Sequence, residues 1–423
     1  MSTISSLEVR LNDFLVGYLT HYPDGKTVFV VDEAYIDYGK QRPILSLSLA
    51  RPNDEEITRA LLADDRHKSA SVKAPPFFSN LLPEGGLRKS IAQRLKVHED
   101  REFLLLSALG EDLPGAIILT PVDTPDHLKR RHRGAAVAPS SEDLHELKFS
   151  LGGIQMKFSM LRQGKRFTLA GGKKLGNYVV KPPSHDFEAL PVVEAATMET
   201  ARAAGMDIPE LQLLAPASIE GLPNMAGFRP GEPFYAIRRF DRPDGGRIHV
   251  EDFAQVFNLR THQKYGRVNY DMIGRTLLVY AGGLPDLKEM ARRLVFNVLM
   301  GNGDAHIKNW ALIYDNPLRP RLAPAYDLVS TVAYTTHDIS VALNMAGVKL
   351  FQVITLDTFA ELFSRIGIVD QVREEVMEEV KVVGRRVLDS WRSRFQAVGV
   401  PEQLIHGVAA HQAGLPLARG LQR

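Results

Sequence analysis

Between residues 290 and 314 a helical stripe, a polar loop and a strand follow one another without a gap, and this junction limits the folds open to the chain. Met290–Met300 puts Leu294, Val295, Val298 and Leu299 on one face at helical spacing. Gly301-Asn-Gly-Asp-Ala-His-Ile-Lys-Asn309 is polar, and Trp310–Tyr314 then has β character. Arg321–Leu322 provides a second short strand, and the hairpin ends at Ala325-Tyr326-Asp327. A helix feeding a loop and then a hairpin predicts a mixed α+β architecture.

The rest of the chain extends that reading. Its 423 residues exceed what one core organises, so two or three packed units are expected. We divide it into 1–135, an N-terminal α/β leader; 136–249, a β-rich small lobe; and 250–423, a mostly helical large lobe. In the leader, residues 7–20 alternate apolar and polar around the turn Asn12-Asp13, predicting a hairpin. Thr27–Val31, Ile44–Leu49 and Ile117–Leu119 read as strands, and Arg88–Arg94 and Arg101–Ala108 as helices. The small lobe is read as strands at Phe167–Leu169, Tyr178–Lys181, Gln212–Ala215 and Phe234–Arg238, with a helix at Glu188–Ala203. From Val250 onward the pattern is helical, interrupted only by the hairpin, and closes with helices at Leu356–Ile366 and Val369–Ala397.

Composition removes whole classes of chemistry. There is no cysteine, so disulfides, thiolate metal sites and a cysteine nucleophile are excluded, which fits a reducing compartment. With 52 basic and 50 acidic side chains the net charge is +2, which gives no reason to expect nucleic acid across the whole surface. The one dense basic run, Lys129-Arg130-Arg131-His132-Arg133, borders a polar stretch and reads as a solvated linker. No basic segment followed by an apolar one opens the chain, and no apolar run is long enough to span a bilayer. A cytoplasmic protein without a membrane partner is expected.

Asp304 and Asn309, five residues apart on one loop, have the spacing of a kinase catalytic loop. Phosphoryl transfer to a hydroxyl needs a carboxylate to take the proton and an oxygen ligand nearby for magnesium. Lys308 beside them suits charge neutralisation on the transferred phosphoryl group. Asp327, at the far end of the hairpin, stands where a kinase holds its main magnesium ligand. Lys181 ends the apolar strand Tyr178–Lys181, the position of a kinase lysine facing the α- and β-phosphates. Glu194 or Glu199 on the following helix could pair with it. Ser150–Ser159, with Gly152-Gly153, precedes that lysine and reads as a loop whose backbone N–H groups cradle phosphates. Taken singly, each of these is equally an ordinary cap, turn or edge residue. Their occurrence once each, in order, is what carries the kinase reading.

Ser150-Leu-Gly-Gly-Ile-Gln-Met-Lys-Phe-Ser159, Arg238-Arg-Phe-Asp-Arg242, Gly301–Asn309 and Ala325–Asp327 together resemble the HipA kinases. Pro75-Pro-Phe-Phe-Ser-Asn-Leu-Leu-Pro-Glu-Gly85 and Gly110–Ala116 are similar to that family's leader. The resemblance implies a two-lobed kinase-like fold using ATP and Mg²⁺ on protein serine or threonine. It implies Asp304 as catalytic base; Asn309 and Asp327 as metal ligands; Lys181 as the phosphate-binding lysine; and Gly152, Gly153, Ile154, Gln155 and Lys157 on the phosphate loop. Arg238 and Phe240 fall on the hinge that holds adenine, and His306 falls beside the nucleotide. Ser150 matches a serine that such kinases phosphorylate on themselves, a change that ejects the phosphate loop. Expected partners are a small helix-turn-helix antitoxin, DNA chiefly through it, and a translation component such as an aminoacyl-tRNA synthetase. The chain departs from the family at Arg238 and Met156, where glutamate is frequent.

Two rivals remain at this stage: a small-molecule phosphotransferase on the same scaffold, and a catalytically silent, antitoxin-bound co-repressor. His306 is not needed for phosphoryl transfer, and a loop-stabilising hydrogen bond is its plainer role. His98-Glu99-Asp100 has no partners at zinc-ligand spacing and reads as a helix cap. Met377, Val380, Val383 and Val387 read as core packing.

Overall fold

The computed structural model describes residues 5–65, 68–130, 157–164, 166–170, 175–221, 229, 231–244, 246–334 and 339–422. The leader holds a five-stranded antiparallel sheet of β1 (Ser5–Leu11), β2 (Phe14–His21), β3 (Lys26–Val31), β4 (Ser69–Ser71) and β5 (Ile117–Val122), in the order β4-β3-β2-β1-β5. The expected hairpin is there, with Asn12 in the left-handed region at φ 50°. A bulge after Val9 sets Gly17 against β3, where an added Cβ would lie 2.1 Å from the Val30 carbonyl oxygen. Alternation turns Leu7, Val9 and Leu11 inward onto Leu105, Leu106 and Leu109 of the helix Glu102–Leu109.

The small lobe is a six-stranded sheet of β6 (Phe158–Gln163), β7 (Arg166–Leu169), β8 (Tyr178–Lys181), β9 (Leu211–Leu214), β10 (Ile219–Glu220) and β11 (Phe234–Arg238), in the order β10-β7-β6-β8-β11-β9. Its two faces belong to different cores. Phe158, Met160, Tyr178, Val180, Phe234 and Ala236 pack into the leader core. Val179, Tyr235 and Ile237 face the helix Leu190–Ala203 and the large-lobe core. A strand buried on both faces reads as a continuous apolar run, and Tyr178-Val-Val is one. Because the period is two, Lys181 shares the face of Val179 and so points toward the lobe interface.

The large lobe carries β12 (His249–Asp252), β13 (Ala311–Asn316) and β14 (Arg319–Leu322) in that order, and the helices Tyr270–Tyr280, Leu284–Met300, Leu356–Ile366 and Asp370–Val398. On the last of these Val376, Val380, Val383, Val387, Trp391 and Phe395 are buried at helical spacing. Met377, beside that stripe, is partly buried against it.

Three expectations change. Ile44–Leu49 is not a strand: Ile44 and Leu47 enter the large-lobe core while Leu45 and Leu49 enter the leader core. The alternation is real, but it comes from a segment wedged between two cores. Its polar groups are met outside any sheet, the Ser46 hydroxyl and Leu47 N–H by Glu251 and the Ile44 N–H by the Pro317 carbonyl. The region after Val250 is less purely helical than its pattern, since 249–252 pairs with β13, and β15 (Ser340–Met345) and β16 (Val348–Leu350) form a further hairpin. His98-Glu99-Asp100 does not cap the helix Glu102–Leu109, whose N-cap is Arg101; the His98 ring accepts from the Asp100 N–H instead.

Candidate active site

The helix Leu284–Met300 ends because Gly301 takes the left-handed conformation, φ 62°, that an L side chain resists. The loop that follows is held from several sides. Thr331 Oγ1 accepts from the Gly303 N–H and donates to the Gly301 carbonyl, both at 3.0 Å. Asn302 Oδ1 accepts from the Asp304 N–H at 3.1 Å, and Asn309 Nδ2 donates to the Asp304 carbonyl at 2.8 Å. Beneath, the hydroxyl of Tyr270 and the indole N–H of buried Trp310 both donate to the Ala305 carbonyl. Loss of an aromatic anchor of that kind costs about 3–5 kcal/mol. Asp304 is thus presented on a rigid frame with its side chain half exposed. Its Oδ1 accepts a 2.7 Å hydrogen bond from Tyr265.

A cavity between the lobes is lined by Lys157, Lys181, His306, Lys308, Asn309 and Asp327, together with residues Ile237–Phe240. Asp304 lies at the edge of a second opening, with Tyr265, Gly303, Thr331, Ser340 and Lys349. Lys181 and Asp327 form a close ion pair, and Lys157 reaches the other Asp327 oxygen at 3.3 Å. Burial pushes the Asp327 carboxyl up, but the two lysines outweigh it and hold the group well below the carboxylate range. Burial likewise favours a neutral Lys181, and Asp327 with Glu194 reverses that, so its ammonium is retained. Of the two helix glutamates, Glu194 makes the pair, at 2.5 Å, whereas Glu199 pairs with Arg202. A carboxylate and an amide oxygen donor, flanked by two ammonium groups, suit a divalent cation carrying a polyphosphate.

Lys308 is buried, with its ammonium 2.9 Å from Asn80 Oδ1 and 3.3 Å from both Glu84 and Asp252. Burial opposes its charge, and Asp252 and Glu84 restore it. His306 makes its loop-stabilising hydrogen bonds through the backbone: its N–H donates to the Asp304 carbonyl and its carbonyl accepts from Asn309. Its ring is 3.9 Å from Asp304, and burial pushes its pKa down to about 4, so the imidazole is neutral. Arg238 is exposed at the cavity mouth and meets Asp244 at 3.3 Å. Phe240 packs on Tyr326 with ring centroids 5.7 Å apart. Ser150, Gly152, Gly153, Ile154, Gln155 and Met156 lie outside the described residues. Ser159 is fully buried, donating to Asp112 and accepting from Arg239.

Sequence reasoning missed Asn80, Glu84, Asp252 and Tyr265. Asn80 and Glu84 lie inside the quoted motif Pro75–Gly85, which was the available signal; Asp252 and Tyr265 had none. Among the described residues no cluster of three or more histidine, aspartate or glutamate side chains could hold a metal by itself. No helix in the described residues is long and apolar enough to cross a membrane.

Two family models match the chain: the HipA N-terminal domain over residues 7–120 and the HipA-like C-terminal domain over residues 149–391. A Sinorhizobium fredii protein named "Putative kinase Y4dM" is 41% identical over 89% of this chain and 90% of its own. The Shewanella oneidensis serine/threonine-protein kinase toxin HipA is 25% identical over 81% of this chain and 79% of its own. The solved structure of Shewanella oneidensis HipA with HipB and operator DNA superposes with a TM-score of 0.69 at 21% identity, covering 99% of this chain and 97% of that one. The fold is the two-lobed, protein-kinase-like α+β fold with an N-terminal leader.

Proposed function

Because this chain belongs to the HipA family, whose relatives include kinases, we propose that it is an ATP-dependent kinase acting on serine or threonine hydroxyls of a protein. The observation that carries this reading is the convergence of Lys181, Lys308, Asn309 and Asp327 on one cavity, with Asp304 lining a separate opening and tied to Asn309 through its carbonyl. That division separates a nucleotide side from an acceptor side. Lys181, and Lys157 beside it, bind the phosphates, while residues 237–240 hold adenine through backbone groups. Asp304 takes the acceptor proton as the new oxygen–phosphorus bond forms and the bridging oxygen–phosphorus bond breaks, leaving ADP. Asn309 and Asp327 would hold Mg²⁺, which neutralises charge on the phosphates.

The finer reading follows the family. We take Ser150 as a self-phosphorylated serine, a small helix-turn-helix protein of the HipB kind as the partner through which DNA is reached, and a translation component as the target. A phosphoserine at 150 adds nearly two negative charges beside the loop ending at Lys157, which favours release of that loop and loss of activity. Asp304→Asn should lose labelled-phosphate incorporation by two orders of magnitude or more, about the lower range for a lost general base, while still binding ATP in calorimetry. Mass spectrometry should find phosphate on Ser150 of the wild type after incubation with Mg·ATP, and none in Asp304→Asn. Wild-type incorporation by that variant removes Asp304 from catalysis; a wild type that never incorporates phosphate returns the chain to the silent, antitoxin-bound reading.

A further inference from the structure

We propose that the leader is part of the phosphotransfer machinery, with Glu84 as the positioning residue that fixes Lys308 on the phosphate side and, through Lys264, Tyr265 on the acceptor side. This rests on the kinase reading above. Glu84 is the N-cap residue of the helix Gly85–Arg94, yet its side chain makes no capping hydrogen bond. Its carboxylate is buried at 8% exposure and turned into the cleft instead. There one oxygen lies 3.3 Å from Lys308 and the other 3.4 Å from Lys264.

The two lysines lead to the two sides of the reaction. Lys308 lines the nucleotide cavity one residue from Asn309. Lys264 lies over the ring of Tyr265, 5.4 Å from its centroid, and the Tyr265 hydroxyl donates to Asp304. A single carboxylate from the leader therefore joins the phosphate-side lysine to the residue that contacts the base. Asp252, 3.3 Å away on the other side of Lys308, competes for the same ammonium. With Glu84 charged, Lys308 is held between two carboxylates and the Asn80 side chain; without it, the ammonium loses one of its two carboxylate partners and is drawn off that position toward Asp252.

The docking of this segment is specific. Phe77 and Phe78 anchor it in the leader core. Gln255 donates to the Phe77 carbonyl, Asn80 Nδ2 donates to the Leu259 carbonyl, and Thr261 donates to Asn80 Oδ1. The large-lobe segment 252–264 thus grips the leader motif at the point where Glu84 enters the cleft.

The test is Glu84→Gln, which keeps the shape and removes the charge, in the full-length chain. Its kcat should fall at least tenfold while KM for ATP stays within threefold and the melting temperature is unchanged. Glu84→Asp should recover part of kcat. In a double-mutant cycle, Glu84→Gln combined with Lys308→Met should be no more than twofold slower than Lys308→Met alone. Acetylation by acetic anhydride, read by mass spectrometry, should label Lys308 faster in Glu84→Gln than in the wild type, and this readout needs no activity. A Glu84→Gln kcat within twofold of wild type, losses that multiply in the double variant, or unchanged Lys308 labelling overturns the proposal. If Glu84→Gln melts early, the ratio for Glu84→Asp against wild type decides, a fall in kcat with unchanged KM supporting the role and equal kcat ending it. A wild type inactive on every protein acceptor, with Lys308 labelled as expected, defeats the kinase reading and leaves the contact standing.

Discussion

At Asp327 a single side chain combines unusual backbone, burial and charge. It sits at φ 54° although it is not glycine, and its carboxylate is shared by Lys157 and Lys181. Strain of that sort persists only where the surroundings impose it. On the proposed reading, removing the carboxylate deletes a metal ligand but leaves the ammonium groups of Lys157 and Lys181 in place. Asp327→Ala should therefore weaken Mg·ATP binding by about tenfold or more, a first ligand being worth at least what its outer partners are. Magnesium-free ATP should bind unchanged or tighter, and calorimetry with and without Mg²⁺ separates the two. Equal losses in both arms would make Asp327 structural. Lys181, Asp304, Asn309 and Asp327 were legible in the sequence as candidates, because the kinase reading specifies both type and spacing. Glu84 and Asp252 were not, because a carboxylate 224 or 56 positions away from Lys308 has no spacing rule to betray it.

The loop that presents Asp304 depends on one turn. An added Cβ at Gly301 would lie 2.3 Å from a Val332 methyl, and the left-handed backbone there disfavours any side chain. Gly301→Ala should lower the melting temperature and cut phosphotransfer together, since Thr331 and Ser330, which fasten the loop, adjoin Val332. Val332→Ala in the same chain removes the two nearest atoms and should restore part of both, leaving the backbone cost of about 1 kcal/mol. No recovery in thermal melts and activity of the double variant would place the difficulty elsewhere. Long periodic elements were legible: the helices Leu190–Ala203, Leu284–Met300 and Asp370–Val398, and the β1–β2 hairpin. Ile44–Leu49 misled because serving two cores produces the same alternation as a half-buried strand. The β15–β16 hairpin was missed because its side chains pack against a helical lobe and look like part of it.

Across the whole molecule the leader and the hinge are joined by buried charge. Arg239 and Arg242 share Asp241 and Asp112, and Asp241 also accepts from the Gly115 N–H. Burial pushes Asp241 up, but Arg239 and Arg242 hold it far below the usual range. A carboxylate depressed on folding stabilises the protein above its unfolded pKa of about 3.9 and loses that contribution as pH falls below it. Asp241→Asn leaves two buried guanidinium groups with Asp112 as their one shared carboxylate and should cost about 3–5 kcal/mol. Its stability should also depend less on pH below 4 than that of the wild type, in denaturant melts taken from pH 2.5 to 7. An unaltered acid limb would mean that Asp241 is not the group that links pH to the junction. The sequence by itself determined the α+β class and, through motifs that lie in order along the chain, the family, because local periodicity and the spacing of motif residues act over short stretches. Only the tertiary structure decided that Glu194 and not Glu199 meets Lys181, that Lys308 is held by the leader, and that Arg239 and Arg242 are buried against Asp112. Those outcomes depend on which distant surfaces exclude water together, and burial between distant segments is what makes a charge choose its partner.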